Sequence, residues 1–205
     1  MKVLASALTI IVLLIGFLSL NHNGNLPKLL RSVAVDPPQP LEAVNLIDHS
    51  KQSVNLARFQ NQWTFVFFGF THCPHVCPAT LAQLGVIKKT MLKKPEYGNN
   101  VQFFFISVDP ERDTVERLAD YMNAFDPEFV GMTGNAAAVS DFEKQLIAYH
   151  RIGEKDKQNN YDVDHSGVVY LIDPAARLTA KFLPPMDPSK VVEQFYQLVT
   201  RYSQV

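Results

Sequence analysis

Apolar residues along this chain fall into two kinds of run, unbroken ones of about eight residues and periodic ones that recur every three or four positions. Trp63-Thr64-Phe65-Val66-Phe67-Phe68-Gly69-Phe70 and Val101-Gln102-Phe103-Phe104-Phe105-Ile106-Ser107-Val108 are of the first kind, the pattern of strands buried on both faces. Leu81, Leu84, Ile87 and Met91 share one face of a helix expected from Pro78 to Leu92. Val191, Val192, Phe195, Leu198, Val199 and Tyr202 do the same for a closing helix from Asp187 to about Tyr202, which is expected to seal one face of a sheet. Between these, the pattern predicts a hairpin within Ala43 to Leu56 that turns through Asp48-His49-Ser50-Lys51. It also predicts a helix capped by Asp113 and Thr114 and running to Phe125, a short strand around Phe129 to Met132, and a helix from about Ala136 to Tyr149. Gly167 to Ile172 and Leu178 to Leu183 form a strand pair around Asp173-Pro174.

Strand, helix, strand, helix, then a hairpin and a helix is the order of a thioredoxin-like α/β fold, here with an N-terminal hairpin extension. Residues 42–205 are assigned to that domain. Ahead of it, Lys2 is followed by eighteen residues, Val3 to Leu20, without a charge. As a helix they cover roughly 27 Å, close to the ~30 Å of a bilayer's hydrocarbon core. Phe17-Leu18-Ser19-Leu20-Asn21 offers no small-x-small cleavage site, so residues 1–20 are expected to be an uncleaved transmembrane anchor, with a cleaved signal as the alternative. Residues 21–41 contain Asn-Gly-Asn, Pro27 and Asp36-Pro37-Pro38-Gln39-Pro40 and read as a proline-rich tether reaching about 25 Å. The 205 residues are 47% apolar and 19% charged, with a formal net charge of -1. That balance supplies neither a basic patch for nucleic acid nor an acidic tail.

Chemistry concentrates in Thr71-His72-Cys73-Pro74-His75-Val76-Cys77-Pro78, which holds both cysteines of the chain. A buried strand precedes them and a helix follows, so both sulfurs fall on a strand-to-helix turn at the carboxyl edge of a sheet, where α/β folds place ligands. Residues four apart share a helical face, and the turn's free amides and the helix dipole favour thiolate. The inert alternative is a structural disulfide. Closing so short a loop would contribute only about 2 kcal/mol in the chain-entropy model, and a domain of this size does not need it.

Three motifs in order, Phe68-Gly69-Phe70-Thr71-His72-Cys73-Pro74-His75-Val76-Cys77-Pro78, then Ile106-Ser107-Val108-Asp109-Pro110-Glu111-Arg112-Asp113-Thr114, then Val163-Asp164-His165-Ser166 followed by Tyr170-Leu171-Ile172-Asp173-Pro174, resemble the SCO/SenC family over about residues 42 to 203. The resemblance implies a membrane-anchored thioredoxin-fold protein, a metallochaperone rather than an enzyme. It implies copper bound through Cys73, Cys77 and His165 in the service of assembling the copper centre of cytochrome c oxidase. The chain departs from the family at His75, where an acidic residue usually stands. That leaves the implied ligand set intact but puts in doubt any redox tuning or partner contact from that carboxylate, with a supplementary or transient copper ligand as the alternative role of the imidazole.

The donor set agrees with that expectation on chemical grounds, since thiolates favour Cu(I) and imidazole suits copper in either oxidation state. Zinc is the competitor, and a structural zinc site needs a fourth ligand from His72, His75 or a carboxylate. Asp164 and Ser166 flank His165 and can orient its ring. His72 and His75 are expected at the periphery, His22, His49 and His150 have no supporting context, and Asp109, Arg112 and Asp113 read as a loop-ordering ion pair and cap. The alternative function is a thiol-disulfide reductase acting through Cys73 and Cys77 on the cysteines of the oxidase copper site, although reductases of this fold use Cys-x-x-Cys. A peroxidase needs Thr at position 70 and Pro at position 66, where the chain has Phe70 and Val66. The expected partners are the copper-site subunit of the oxidase, a periplasmic thiol reductant or another copper chaperone, and the membrane. Met1 directly before the apolar run, with no Arg-rich transit segment, favours the inner membrane of a bacterium over a mitochondrion, with the domain facing the periplasm.

Overall fold

The computed structural model describes residues 26–157 and 161–202, and the chain divides into two units, residues 1–32 and 33–205. Of the first unit only the segment from Leu26 to Ser32 is described, largely as turns. The expected anchor over residues 1–20 lies outside the described residues. Among those described, no helix is long and apolar enough to cross a membrane.

The second unit is built on an eight-stranded mixed sheet in the order β1-β10-β9-β4-β5-β6-β2-β3. In chain order the strands are β1 (Ala34–Pro40), β2 (Leu46–Asp48), β3 (Ser53–Val54), β4 (Trp63–Gly69), β5 (Val101–Ser107), β6 (Val130–Thr133), β7 (His150–Ile152), β8 (Val163–His165), β9 (Val169–Ile172) and β10 (Arg177–Phe182). The helices are α1 (Val76–Met91), α2 (Pro95–Gly98), α3 (Val115–Asn123), α4 (Ala136–Leu146) and α5 (Pro188–Tyr202). β4, β5 and β6 run parallel, β9 is antiparallel to β4, and β10 is antiparallel to β9.

The two unbroken apolar runs are the central parallel pair, registered from Trp63 opposite Val101 to Gly69 opposite Ser107. Every residue of β4 is buried, as a strand covered on both faces requires. Alternation along β4 separates those covers. Trp63 and Phe65 meet Phe195 of α5, while Phe68, on the opposite face, meets Phe142 of α4. Phe105 of β5 touches Tyr121 of α3, and α1 packs on α5. Each fully buried phenylalanine in this layer contributes on the order of 1.5–3 kcal/mol.

Two expectations are corrected and one element is added. The tether expected over residues 21–41 ends earlier, because Ala34–Pro40 is a strand paired with β10. Its prolines are tolerated since β1 is an edge strand, where a missing backbone donor removes no ladder bond. The helix expected to reach Tyr149 stops at Leu146, where Ile147 turns the chain through a left-handed conformation, φ 56°. The added element is a separate two-stranded ribbon of β7 and β8 that pairs His150 with His165. Three-residue strands carry too little periodicity to be read from sequence.

Candidate metal centre

The site grows from the carboxyl end of β4. Gly69 is its last residue, and a Cβ there would stand 2.7 Å from both Cys77 Sγ and Phe105 Cε2. Glycine is therefore required by close packing beneath the sulfur. The chain then turns through Phe70 to Pro74, with the Cys73 amide donating to the Phe70 carbonyl at 3.2 Å. α1 opens at Val76, so Cys77 lies in its first turn and Cys73 in the loop before it. The Cys77 amide, one of the unpaired donors of that turn, points at Cys73 Sγ from 3.4 Å. Both cysteines are free thiols.

The third residue arrives on the ribbon. His165 ends β8 and wedges its ring edgewise between Phe67 and Phe70, with centroids 5.9 and 5.8 Å away. Its Nδ1 lies 3.2 Å from the Ser166 carbonyl, an acceptor, so Nδ1 carries the proton and Nε2 is left with its lone pair. Nε2 stands 3.4 Å from Cys77 Sγ. The candidate ligand atoms of Cys73, Cys77 and His165 all lie within 4.8 Å of one another. Neither His72 nor His75 joins them, so the fourth ligand of a structural zinc site is not found among the described residues. Two sulfurs and one nitrogen are a donor set suited to copper.

The sulfurs are unequal. Hydrogen bonding from the Cys77 thiol, helped by the backbone amides of Cys77 and His75, holds the Cys73 thiol at a pKa of about 4. Cys77 is shifted upward, first by its hydrogen bond to the neighbouring Cys73 sulfur and then by burial. Cys73 is thus a thiolate at neutral pH, and Cys77 is a thiol that donates to it, with His165 Nε2 3.4 Å from its sulfur. Iodoacetamide is accordingly expected to modify Cys73 at a nearly constant rate between pH 8 and about pH 5.5, leaving Cys77 untouched in the folded protein. Peptide mapping checks this. A rate falling about tenfold per pH unit below 8, as for an ordinary thiol of pKa about 8.5, sinks the assignment.

Two buried carboxylates hold the surrounding loops. Asp113, expected to cap α3, instead accepts from the Thr71 amide at 2.9 Å, the Thr71 hydroxyl at 2.6 Å and the Ser107 hydroxyl at 2.6 Å. Thr114 alone caps α3, its hydroxyl accepting from the Arg117 amide. Asp113 is a strap from the second motif to the cysteine loop. Asp109 pairs with Arg112, as expected, and also accepts from the Tyr161 hydroxyl at 2.7 Å. Arg112 stacks 3.7 Å over the Tyr161 ring, which ties down the chain entering β8. Burial, with the Asp109 carboxylate, pushes the Tyr161 hydroxyl up to about 12.

Sequence reasoning brought the three donor residues to notice but missed the Asp113 strap, Tyr161 and the Glu143–His150 pair beneath the ribbon. His49 accepts from the Gly131 amide and has a structural role, and His22 lies outside the described residues.

Several known proteins are similar to this chain. A family model described as SCO1/SenC matches residues 37–200. The mitochondrial SCO2 homologue of Mus musculus is 34% identical over 161 residues, 78% of this chain and 63% of its own. A SCO2-like protein of Rickettsia prowazekii is 32% identical over 153 residues, 73% of this chain and 72% of its own. The chain spans between 46% and 63% of the length of the mitochondrial SCO2 homologues that it matches. Among solved structures, Arabidopsis thaliana ScoI with copper bound aligns with a TM-score of 0.73 at 29% identity, covering 78% of this chain and 98% of that one. Yeast Sco1 with copper bound aligns at 0.74 and 28% identity, covering 80% and 91%. With the match running from within β1 almost to the end of α5, and the motifs that carry it converging on one cluster of two sulfurs and an imidazole, this chain belongs to the SCO1/SenC family.

Proposed function

We propose that this protein is a membrane-anchored copper metallochaperone that binds copper through Cys73, Cys77 and His165 and delivers it for assembly of the copper centre of cytochrome c oxidase. The observation that carries this reading is the convergence of two sulfurs and one imidazole nitrogen within 4.8 Å. Cys73 offers a thiolate, the proton of Cys77 is displaced by the incoming ion, and His165 offers Nε2 because its other nitrogen is held by a carbonyl. Cys73 is part-exposed, which suits a cargo that must leave by ligand exchange with an acceptor's own donors. Relatives with copper bound support the choice of metal. The client is the copper-site subunit of the oxidase, which the family implies. Placement at a bacterial inner membrane, with the domain in the periplasm, rests on the apolar run Val3 to Leu20 and on Rickettsia relatives.

Thiol-disulfide reduction is the second reading, favoured by the inequality of the two sulfurs. The Cys73 thiolate attacks a client disulfide, breaking its S–S bond and releasing one client thiolate. Cys77 then loses its proton to His165 Nε2 and attacks Cys73 Sγ. The second client thiolate leaves, two electrons pass to the client, and Cys73 and Cys77 end as a disulfide.

The two readings separate in an anaerobic titration of the reduced full chain in detergent with Cu(I) and with Cu(II), beside a His165→Ala variant. Tight one-to-one binding, weakened at least tenfold for Cu(II) in the variant, is the expected result. Absence of tight binding of either ion moves the assignment to the reductase.

A further inference from the structure

His165 reaches the two sulfurs on the β7–β8 ribbon, and that ribbon pairs with no strand of the main sheet. A two-stranded ribbon is marginally stable by itself. The position of the imidazole therefore depends on what ties the ribbon to the body of the domain. On the carboxyl side the Ser166 hydroxyl lies 3.1 Å from the Tyr170 hydroxyl of β9, while its amide continues the pairing with the β7 side by donating to the Tyr149 carbonyl at 2.9 Å. Across the ribbon, the Arg151–Asp164 ion pair is largely exposed, with side chains 78% and 63% accessible. Such pairs contribute little.

The chain entering β8 is held through Tyr161 by Asp109 and Arg112, and β7 has a buried tie of its own. His150, the register partner of His165, places Nδ1 2.8 and 2.9 Å from the two carboxylate oxygens of Glu143 on α4. Glu143 is 4% exposed, and a carboxylate is retained at such depth only against a partner that satisfies it. Glu143 also lies within the end of α4, where its carbonyl accepts from the Ala148 amide at 2.9 Å. One residue thus fixes both the turn that leads into β7 and the side chain at its first position. The sequence carries no motif for this, since the two residues lie on different elements separated by a turn.

We propose that Glu143 and His150 are positioning residues for the metal site, pinning β7 to α4 so that the cross-strand pairing holds His165 at the two sulfurs. The inference rests on the assignment of Cys73, Cys77 and His165 as copper ligands. Loosening β7 withdraws the nitrogen while leaving the sulfurs on α1 and its loop in place. Two thiolates suffice for Cu(I), whereas Cu(II) favours nitrogen and oxygen donors. The pair therefore acts selectively on Cu(II).

The test is equilibrium binding of Cu(II) and of Cu(I) to the reduced full chain in detergent, for the native protein and for His150→Ala, Glu143→Ala and Glu143→Gln. Electron paramagnetic resonance follows nitrogen coupling to Cu(II), and circular dichroism follows the fold. In His150→Ala and Glu143→Ala, Cu(II) affinity falls about 10–100-fold, nitrogen coupling weakens, and Cu(I) affinity stays within about threefold. Glu143→Gln, which keeps an acceptor for His150 Nδ1–H, recovers most of the Cu(II) affinity. If the Ala variants fail to fold, a His150→Asn variant, which removes the imidazole and keeps a polar side chain, decides by the same ratio. An unchanged ratio of Cu(II) to Cu(I) affinity, whether both stay the same or both fall together with melting temperature, overturns the proposal. A native protein that binds neither ion overturns the ligand assignment instead.

Discussion

Replacing either Cys73 or Cys77 by serine is expected to abolish tight Cu(I) binding while leaving the domain folded. Serine matches the volume of cysteine closely, so the packing that buries Cys77 over Gly69 is retained without a steric cost. A serine hydroxyl at position 77 can also donate to the Cys73 thiolate as the thiol does. What is lost is the soft donor. Cu(I) selects thiolates, and an alcohol remains protonated at neutral pH. The fall in affinity is therefore expected to exceed the roughly 10–100-fold typical of losing a residue that only orients a ligand. The two variants also differ from each other, since Cys73→Ser removes the group that is already ionised and Cys77→Ser removes the buried sulfur nearest the imidazole. Competition against a Cu(I) chelator measures both, and an affinity unchanged in both variants sinks the assignment of the sulfurs as ligands.

Asp113→Ala is expected to be the most destabilising single change around the site. The carboxylate is fully buried and accepts three hydrogen bonds, from the amide and hydroxyl of Thr71 and the hydroxyl of Ser107. Removing it leaves those donors in a space that water does not readily fill. Losing hydrogen bonds to a charged group and leaving buried donors unsatisfied, at about 1–3 kcal/mol each, costs about 3–5 kcal/mol here. For a domain of this size that corresponds to a melting temperature lower by about 10 °C or more. Thr71 lies two residues before Cys73, so copper affinity falls with it. Asp113→Asn keeps the shape and one acceptor and is expected to cost markedly less. Thermal unfolding followed by circular dichroism measures both, and a shift of under about 2 °C for the alanine variant sinks the role of Asp113 as the strap of the cysteine loop.

The divide between what was legible in the sequence and what was not follows from the range of the interactions. Long apolar runs declare themselves because burial on both faces of a strand leaves no polar position. β4 and β5 were accordingly read to within a residue of their observed ends. The amphipathic faces of α1 and α5 were equally plain, because a helix that covers a sheet repeats its apolar positions every three or four residues. The strand-to-helix turn followed from those two, and with it the placement of Cys73 and Cys77. Prolines in residues 36–40 misled, since an edge strand needs only half its backbone donors and its partner β10 lies about 140 residues away.

The candidate metal centre was decided by tertiary structure. Nothing local to Val163-Asp164-His165 specifies that this imidazole meets sulfurs nearly ninety residues earlier, and only the motif order of the SCO/SenC pattern pointed there. Asp113 looked like a helix cap because its short-range chemistry fits that role equally well. Its use as a strap to Thr71 depends on β4 and β5 lying side by side. The pairing of His150 with Glu143 likewise needs the chain to turn at Ile147 before the two can meet. By itself the sequence determined the sheet, its covering helices and the chemical type of the donors, because these depend on patterns within one element. The folded chain decided which nitrogen is free, which sulfur is ionised and what holds the third donor in place, because each depends on atoms brought together from distant elements at hydrogen-bond range.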